Sequence, residues 1–263
     1  IPHKPHVASY RYRCAIPGML LVDAPYNVTV LAKNWTKLED VMDIQGPIVW
    51  DCCDDHFGHD DLGSYYSAIA LHADAITVPT EGMRQRVLAA TGKDAFVVAD
   101  PYEFPQKMPL MMSGWAKNLF WYGHKSNLQG LLAAKQAFEG RTMQVMSNYP
   151  GCIPWSLKGM QQGFAWCDVV PIPVSQNEKD QAKSPNRMVE AIRQGRYVVA
   201  SPMPAYEGYG MWQGDIKEGL EWVDENPDLA LQAVREAQQI VEEKHSPQVI
   251  AAQWLEVFKH VTS

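Results

Sequence analysis

No stretch of the chain approaches the roughly 18 uninterrupted apolar residues that a membrane-spanning helix needs. Its richest apolar segment, 164–174, is broken by Asp168, Pro171 and Pro173. The opening residues Ile1-Pro2-His3-Lys4 do not have the charged-then-apolar pattern of a secretory signal. No Cys-x-x-Cys pair occurs among Cys14, Cys52, Cys53, Cys152 and Cys167. An odd number without that spacing suits free thiols in a reducing compartment better than a disulfide framework or a zinc site. These absences point to a cytoplasmic protein with no integral membrane contact. A Gly-x-Gly-x-x-Gly turn is also missing, which argues against a nicotinamide- or flavin-dependent oxidoreductase. Basic residues are in deficit, the net charge being −7, so no global positive field gathers nucleic acid. There is no internal repeat and no low-complexity tract.

What is present is an ordinary globular balance, 46% hydrophobic and 20% charged, over 263 residues. That length suits one large domain or two small ones. Short β-rich runs alternate with helical patterns throughout, the signature of parallel βαβ units. Strands are predicted at 27–31, 47–50, 75–78 and 95–98, with helices near 14–21, 36–42, 65–71 and 81–90. Thr80 is the expected N-cap of the last of these, and Gly92 its stop. Three prolines between Asp100 and Pro109 mark a linker. A second alternating set follows, with strands at 118–122, 142–145, 168–172 and 197–200 and helices near 127–138, 184–194 and 229–243. The final stretch, 247–261, has apolar residues at helical spacing after Pro247. The expected division is an N-terminal domain over 1–105, a second over 106–246, and a C-terminal helix over 247–263 that packs back toward the first. The first helix leaves little room for a strand before it, so either residues 7–9 are a stunted first strand or the sequence begins downstream of one.

The most informative segment runs from Lys183-Ser184-Pro185-Asn186-Arg187-Met188-Val189-Glu190 to the strand at 197–200. Ser184 reads as an N-cap, Pro185 as the first helical residue and Gly195 as the C′ glycine. A helix N-terminus presents unpaired N–H groups and a positive dipole end, so with Lys183 before it the turn can hold a diphosphate. Glu190, about a turn and a half in, could accept hydrogen bonds from a ribose diol. On spacing alone, a solvated Glu190 and a surface Lys183 are an equally open reading.

This segment resembles the donor-binding signature of glycosyltransferases with two Rossmann-like domains, the GT-B architecture, and within it the retaining Glu-x7-Glu group. Glu190 matches the second glutamate, which the resemblance implies holds the nucleotide ribose. Ser184-Pro185-Asn186, with Arg187, stands where the family's backbone cradles the diphosphate. The first glutamate is replaced by Ala182, so no role in contacting the transferred sugar carries over. Phe120-Trp121-Tyr122-Gly123-His124-Lys125 resembles the first strand and loop of the family's donor domain, which implies that Gly123, His124 and Lys125 approach the phosphates. The stretches 168–174 and 201–206 resemble the flanking strand and loop, and Trp155 is the best candidate among the tryptophans for lining a nucleotide pocket.

Near the N-terminus, Ser9-Tyr10-Arg11-Tyr12-Arg13 resembles the Ser-x-Arg-x-Arg opening of some superfamily members. Ser9 and Arg11 are thus expected on the acceptor side of an interdomain cleft, and Arg13 in catalysis, although both arginines also read as ion-pair residues. Asp51-Cys52-Cys53-Asp54-Asp55-His56 follows a strand, at the end where open α/β sheets place ligands. Asp55 and His56 are candidate catalytic groups and Asp54 an acceptor contact. A structural loop, or a divalent-metal site, is the alternative for this cluster.

The fold class implied is thus α/β, with two Rossmann-like domains facing across a cleft. The implied activity is transfer of a hexosyl or pentosyl group from a nucleotide-diphosphate sugar, a UDP-sugar first, to an acceptor hydroxyl with retained configuration. The resemblance implies no cofactor and no metal. The acceptor is a glycan, a small molecule or, as a minority reading suggested by the chain's compactness, a modified DNA base. A non-catalytic nucleotide-sugar-binding or partner-dependent member of the same fold is the rival reading.

Overall fold

Short runs of two to six residues, most of them apolar, form two parallel sheets. The computed structural model describes residues 7–32, 38–111 and 113–263. They divide into two compact units. The first takes in the chain as far as Glu103, together with Ala182–Ser184 and Lys244–Ser263, and the second takes in Phe104–Gln181 and Pro185–Glu243.

The first unit opens with α1 (Ala8–Tyr10), a π-helical turn over Arg11–Ala15, and α2 (Ile16–Leu20). Val7–Ser9 is therefore not a stunted strand: the Arg11 amide bonds back to the Val7 carbonyl at 3.2 Å and winds the segment into a helix. Strands β1 (Thr29–Ala32), β2 (Ile48–Asp51), β3 (Ala75–Val78) and β4 (Phe96–Val97) follow in that order across the sheet. Between and after them come α3 (Leu38–Met42), α4 (Gly63–His72) and α5 (Glu81–Thr91). The expected start of α3 at Thr36 and Lys37 lies outside the described residues. Helix α5 has the boundaries its caps dictate. Thr80 Oγ1 accepts from the Met83 amide at 3.0 Å, and Gly92 closes the helix at φ +72°, a conformation that costs residues with a Cβ.

The second unit holds β5 (Asn118–Tyr122), β6 (Thr142–Ser147), β7 (Ile153–Pro154), β8 (Val169–Ile172), β9 (Tyr197–Ala200) and β10 (Trp212–Gln213). Their order in the sheet is β10-β9-β8-β5-β6-β7, all parallel. Its helices are α6 (Leu128–Ala133), α7 (Leu157–Trp166), α8 (Glu178–Gln181), α9 (Asn186–Arg193), α10 (Ile216–Glu225) and α11 (Pro227–His245). The helix expected over 127–138 is instead α6 flanked by two 3-10 turns, Lys125–Asn127 and Lys135–Phe138. Gly130 near its middle weakens the helix, yet it is needed there because a Cβ would stand 3.0 Å from the Pro173 carbonyl oxygen. Ser184 does not cap α9. Pro185 occupies the N-cap without a side-chain bond and Asn186 is the first helical residue, so the start is one residue later than the spacing predicts.

The last helix, α12 (Pro247–Thr262), belongs to the first unit and explains why β2 and β3 are apolar on both sides. One face, with Ile48, Trp50, Ile76 and Val78, packs with Tyr66, Ile69, Met83 and Val87 of α4 and α5. The other face, with Val49 and Ala75, packs with Ile250, Trp254 and Val257 of α12. At the junction before α12, His245 is 3% exposed and its Nδ1 donates to the Asp100 carbonyl at 2.7 Å. Burial holds the imidazole pKa below the ordinary 6.5, against the opposing pull of Asp100. A base with a depressed folded pKa contributes stability that is complete above the unfolded value and is lost as pH falls. Unfolding free energy should therefore drop between about pH 7 and 5, by at most about 1.4 kcal/mol per pH unit from this group. His245→Gln should flatten that slope in urea titrations at pH 7.5 and 5.5. An unchanged slope would remove His245 as its source.

Candidate functional site

In the second unit, α9 follows β8 and starts at the most informative segment of the sequence. Its first residues, Asn186, Arg187 and Met188, open a helix whose N-cap, Pro185, makes no side-chain cap bond. Arg187 is held through its backbone: the Tyr122 hydroxyl donates to the Arg187 carbonyl at 3.0 Å. The Tyr206 ring, in the same unit, is 1% exposed. Arg187 Nη1 is nonetheless buried with no hydrogen-bond partner among the described residues. Glu190, one turn on, is 1% exposed, and its charge raises the Tyr122 phenol further above the ordinary range after burial has already done so. Burial also raises the Tyr206 phenol, while the Arg187 charge pulls it back. Both phenols are therefore neutral hydrogen-bonding groups at physiological pH.

The same unit carries the turn after β5. His124 caps the 3-10 turn through Nδ1, which accepts from the Ser126 amide at 3.3 Å. Lys125 is exposed, and its amide donates to Asn148 Oδ1 at 2.7 Å. Gly123 is held tightly: a Cβ would come within 3.0 Å of the Trp121 ring. Trp155 lies just after β7, half-buried, with Nε1 donating to Met160 Sδ at 3.1 Å. Gly123, His124, Lys125, Trp155, Asn186, Arg187 and Glu190 thus belong to the second unit. Lys183 and Ser184 do not, for Ala182–Ser184 goes with the first, where Thr80 Oγ1 donates to the Ala182 carbonyl at 2.6 Å.

In the first unit, Arg13, expected in catalysis, is enclosed among carboxylates. Its side chain is 1% exposed and makes an ion pair with Asp51 at 2.6 Å and another with Asp100 at 3.1 Å. It also donates to the Val98 and Ala99 carbonyls and stacks over the Trp254 ring, 5.3 Å from the centroid. Burial alone would favour losing the charge, but Asp51 and Asp100 more than offset it, so Arg13 remains a cation. Asp51 is further held by the Thr77 hydroxyl at 2.8 Å. Arg11 pairs with Glu103 at 2.6 Å and is 7% exposed along its side chain. Asp55 is also engaged: Oδ2 pairs with Arg86 at 2.7 Å and Oδ1 accepts from the Phe57 amide. Asp54 is half-buried beside Cys53, 3.8 Å from its Sγ. The His56 ring stands edge-on to Tyr66, with centroids 5.4 Å apart. Ser9 Oγ is buried without a hydrogen-bond partner among the described residues.

None of the five cysteines is in a disulfide. Burial raises the Cys14 thiol to about 11 and Cys52 well above its ordinary value, so neither supplies a thiolate at neutral pH. Among the described residues, no group of three His, Cys, Asp or Glu side chains is arranged to hold a metal ion. Nor is any described helix long and apolar enough to cross a membrane.

Sequence reasoning did not single out Tyr122. It stands in a segment that carries the family resemblance, but a buried tyrosine in a strand reads as core until its hydroxyl is seen to have a partner, here the Arg187 carbonyl.

No family model matches the chain, and no curated protein matches it. Solved structures do. TarM of S. aureus, in complex with UDP, fondaparinux and α-GlcNAc-glycerol, superposes with a TM-score of 0.62 at 14% identity, over 81% of this chain and 50% of that one. HepE of Anabaena, in complex with UDP-glucose, gives 0.61 at 16% identity over 81% and 72%. An α-glucosyltransferase, in complex with UDP-glucose and DNA containing an abasic site, gives 0.53 at 10% identity over 96% and 84%. The chain thus spans half the length of TarM. Two parallel α/β units in these likenesses mean that the chain has the fold of GT-B glycosyltransferases.

Proposed function

We propose that the protein transfers a sugar from a nucleotide-diphosphate sugar, a UDP-sugar first, to an acceptor hydroxyl with retention of configuration. The observation that carries this is the buried, partnerless Nη1 of Arg187 at the start of α9. A charged donor left unsatisfied in the interior is costly, and an anionic ligand group would satisfy it. We assign the donor diphosphate to the α9 amides and Arg187, with Asn186, Gly123, His124 and Lys125 as further contacts. Glu190 is assigned the ribose diol, and Trp155 a place along the nucleotide. As the bond from the anomeric carbon to the diphosphate breaks, negative charge grows on the leaving group, and fixed donors aimed there lower the barrier. This gives the cation more to do than any general base. Acceptor binding is assigned to the first unit, where His56 is the candidate to take the hydroxyl proton, since Asp55 is held by Arg86.

The acceptor we place first is a glycan or small molecule. A modified base in DNA is the second reading, favoured by the likeness to the α-glucosyltransferase in complex with DNA. The net charge of −7 weighs against it.

Thermal melting with UDP, GDP, ADP and CMP tests the donor. A nucleotide at 100 times its Kd adds about 2.7 kcal/mol of stability, and UDP should give the largest upward shift. Stabilisation by none of them at millimolar concentration would remove the donor assignment and leave a partner-dependent or non-catalytic member of the fold. Product anomers read by NMR then decide the stereochemical course.

A further inference from the structure

We propose that Tyr122 is a positioning residue for the donor diphosphate, its hydroxyl tying the first turn of α9 to the end of β5 so that the two segments assigned to the diphosphate keep a fixed spacing; this rests on the donor reading above. Tyr122 is the last residue of β5, at the strand end where open sheets place ligands, and Gly123, His124 and Lys125 follow it directly. Its hydroxyl donates to the main-chain carbonyl of Arg187, the second residue of α9, at 3.0 Å. A single ring thus connects the strand that delivers the turn to the backbone of the helix. Toward β6 the turn is held separately. The Gly123 amide donates to the Met146 carbonyl at 3.1 Å, and the Lys125 amide to Asn148 Oδ1 at 2.7 Å. All of these residues lie in the second unit.

The ring can act as a strut because packing fixes it. Phe120 and Tyr122 are two apart in β5 and so lie on one face of the sheet. Their rings stack with centroids 5.5 Å apart, and Phe164 of α7 stands edge-on to both, 5.5 Å from Phe120 and 5.3 Å from Tyr122. Phe120 in turn sits so close to Gly163 that a Cβ there would come within 2.3 Å of its ring. A phenylalanine at 122 would pack in the same place, so what the hydroxyl adds is the bond to Arg187. A buried hydroxyl is costly unless it is bonded, and this one is. A ligand held by two segments binds more tightly when their spacing is set beforehand, because the ordering is not left to the binding step. Tyr122 acts in this way through α9, without touching the nucleotide.

Calorimetric titration of the full chain with UDP tests the assignment, with uridine followed by ligand-observed NMR beside it. Tyr122→Phe keeps the ring and removes one hydrogen bond. It should weaken UDP about 5-fold, the size of one neutral hydrogen bond, and leave uridine, which has no phosphates, unchanged. A merely structural role would lower both affinities or neither. Tyr122→Met, an unbranched side chain that fills irregular gaps and has no donor, should weaken UDP at least as much and again spare uridine. It decides the matter if Tyr122→Phe does not fold. UDP affinity equal to that of wild type in the folded variant, or an equal loss for UDP and uridine, would each overturn the proposal while leaving the donor reading standing. A wild-type chain that binds no UDP overturns both.

Discussion

Arg13→Ala should destabilise the first unit by about 3–5 kcal/mol, the cost of breaking a buried ion pair from one side. The side chain is 1% exposed, and its removal leaves the Asp51 and Asp100 carboxylates without their counter-charge. The Val98 and Ala99 carbonyls lose a donor as well, and the Trp254 ring loses the cation above it. Arg13→Lys should recover only part of the loss, because one ammonium cannot reproduce the guanidinium fork that meets Asp51 through both Nε and Nη2. Urea unfolding followed by circular dichroism measures the effect. A change under about 1 kcal/mol would mean that the network can relax around the gap. The variant also separates two roles for this arginine. If Arg13 acts through the fold, UDP affinity measured at low temperature, where the variant is still folded, should equal that of wild type. If it acts on phosphate, affinity falls even there.

The second large effect falls on Arg187. Arg187→Ala should weaken UDP about 50-fold, equivalent to about 2.3 kcal/mol, within the range for a hydrogen bond made by a charged group in a dry site. The stability of the free protein should change little or improve. Alanine favours the helix, and the substitution removes a buried donor that has no partner. Such opposite signs, affinity lost and stability kept, distinguish a ligand contact from a structural one. A variant that loses both in proportion would place Arg187 among the residues that hold α9 in the fold.

Much of the architecture could be read from the residues because the local patterns agree with the tertiary environment. Strands β3, β5 and β9 have the boundaries expected of them, since apolar runs bounded by turn residues leave little choice of register. Both caps of α5 were equally legible in Thr80 and Gly92. Helix α7 was not. Gly159 and Gly163 look like helix breakers, yet a Cβ at the first would stand 2.6 Å from the Met146 methyl and one at the second 2.3 Å from the Phe120 ring. Close packing there overrides propensity. Helix α10 left a signal that was passed over: Asp215 and Glu218 have capping-box spacing, and Asp215 accepts from the Glu218 amide at 3.0 Å.

The site was legible as a segment and less so residue by residue. The α9 start and Glu190 could be placed by resemblance, whereas Ser184 proved not to be a cap. The enclosure of Arg13 depends on Asp51 and Asp100, which lie 38 and 87 residues away in the chain. No local pattern announces such partners.

The return of α12 to the first unit has a kinetic consequence. On one face of the first sheet Val49 and Ala75 pack with residues near the end of the chain, and the Ala99 amide reaches Gln253 Oε1 across 154 positions. During vectorial synthesis that face must wait, exposed, until the second unit has been made. Closing so long a loop costs entropy before its contacts form, which slows the step. The later-synthesised unit, local in its connections, is therefore the one positioned to fold first, and the earlier one to be held by chaperones until α12 emerges.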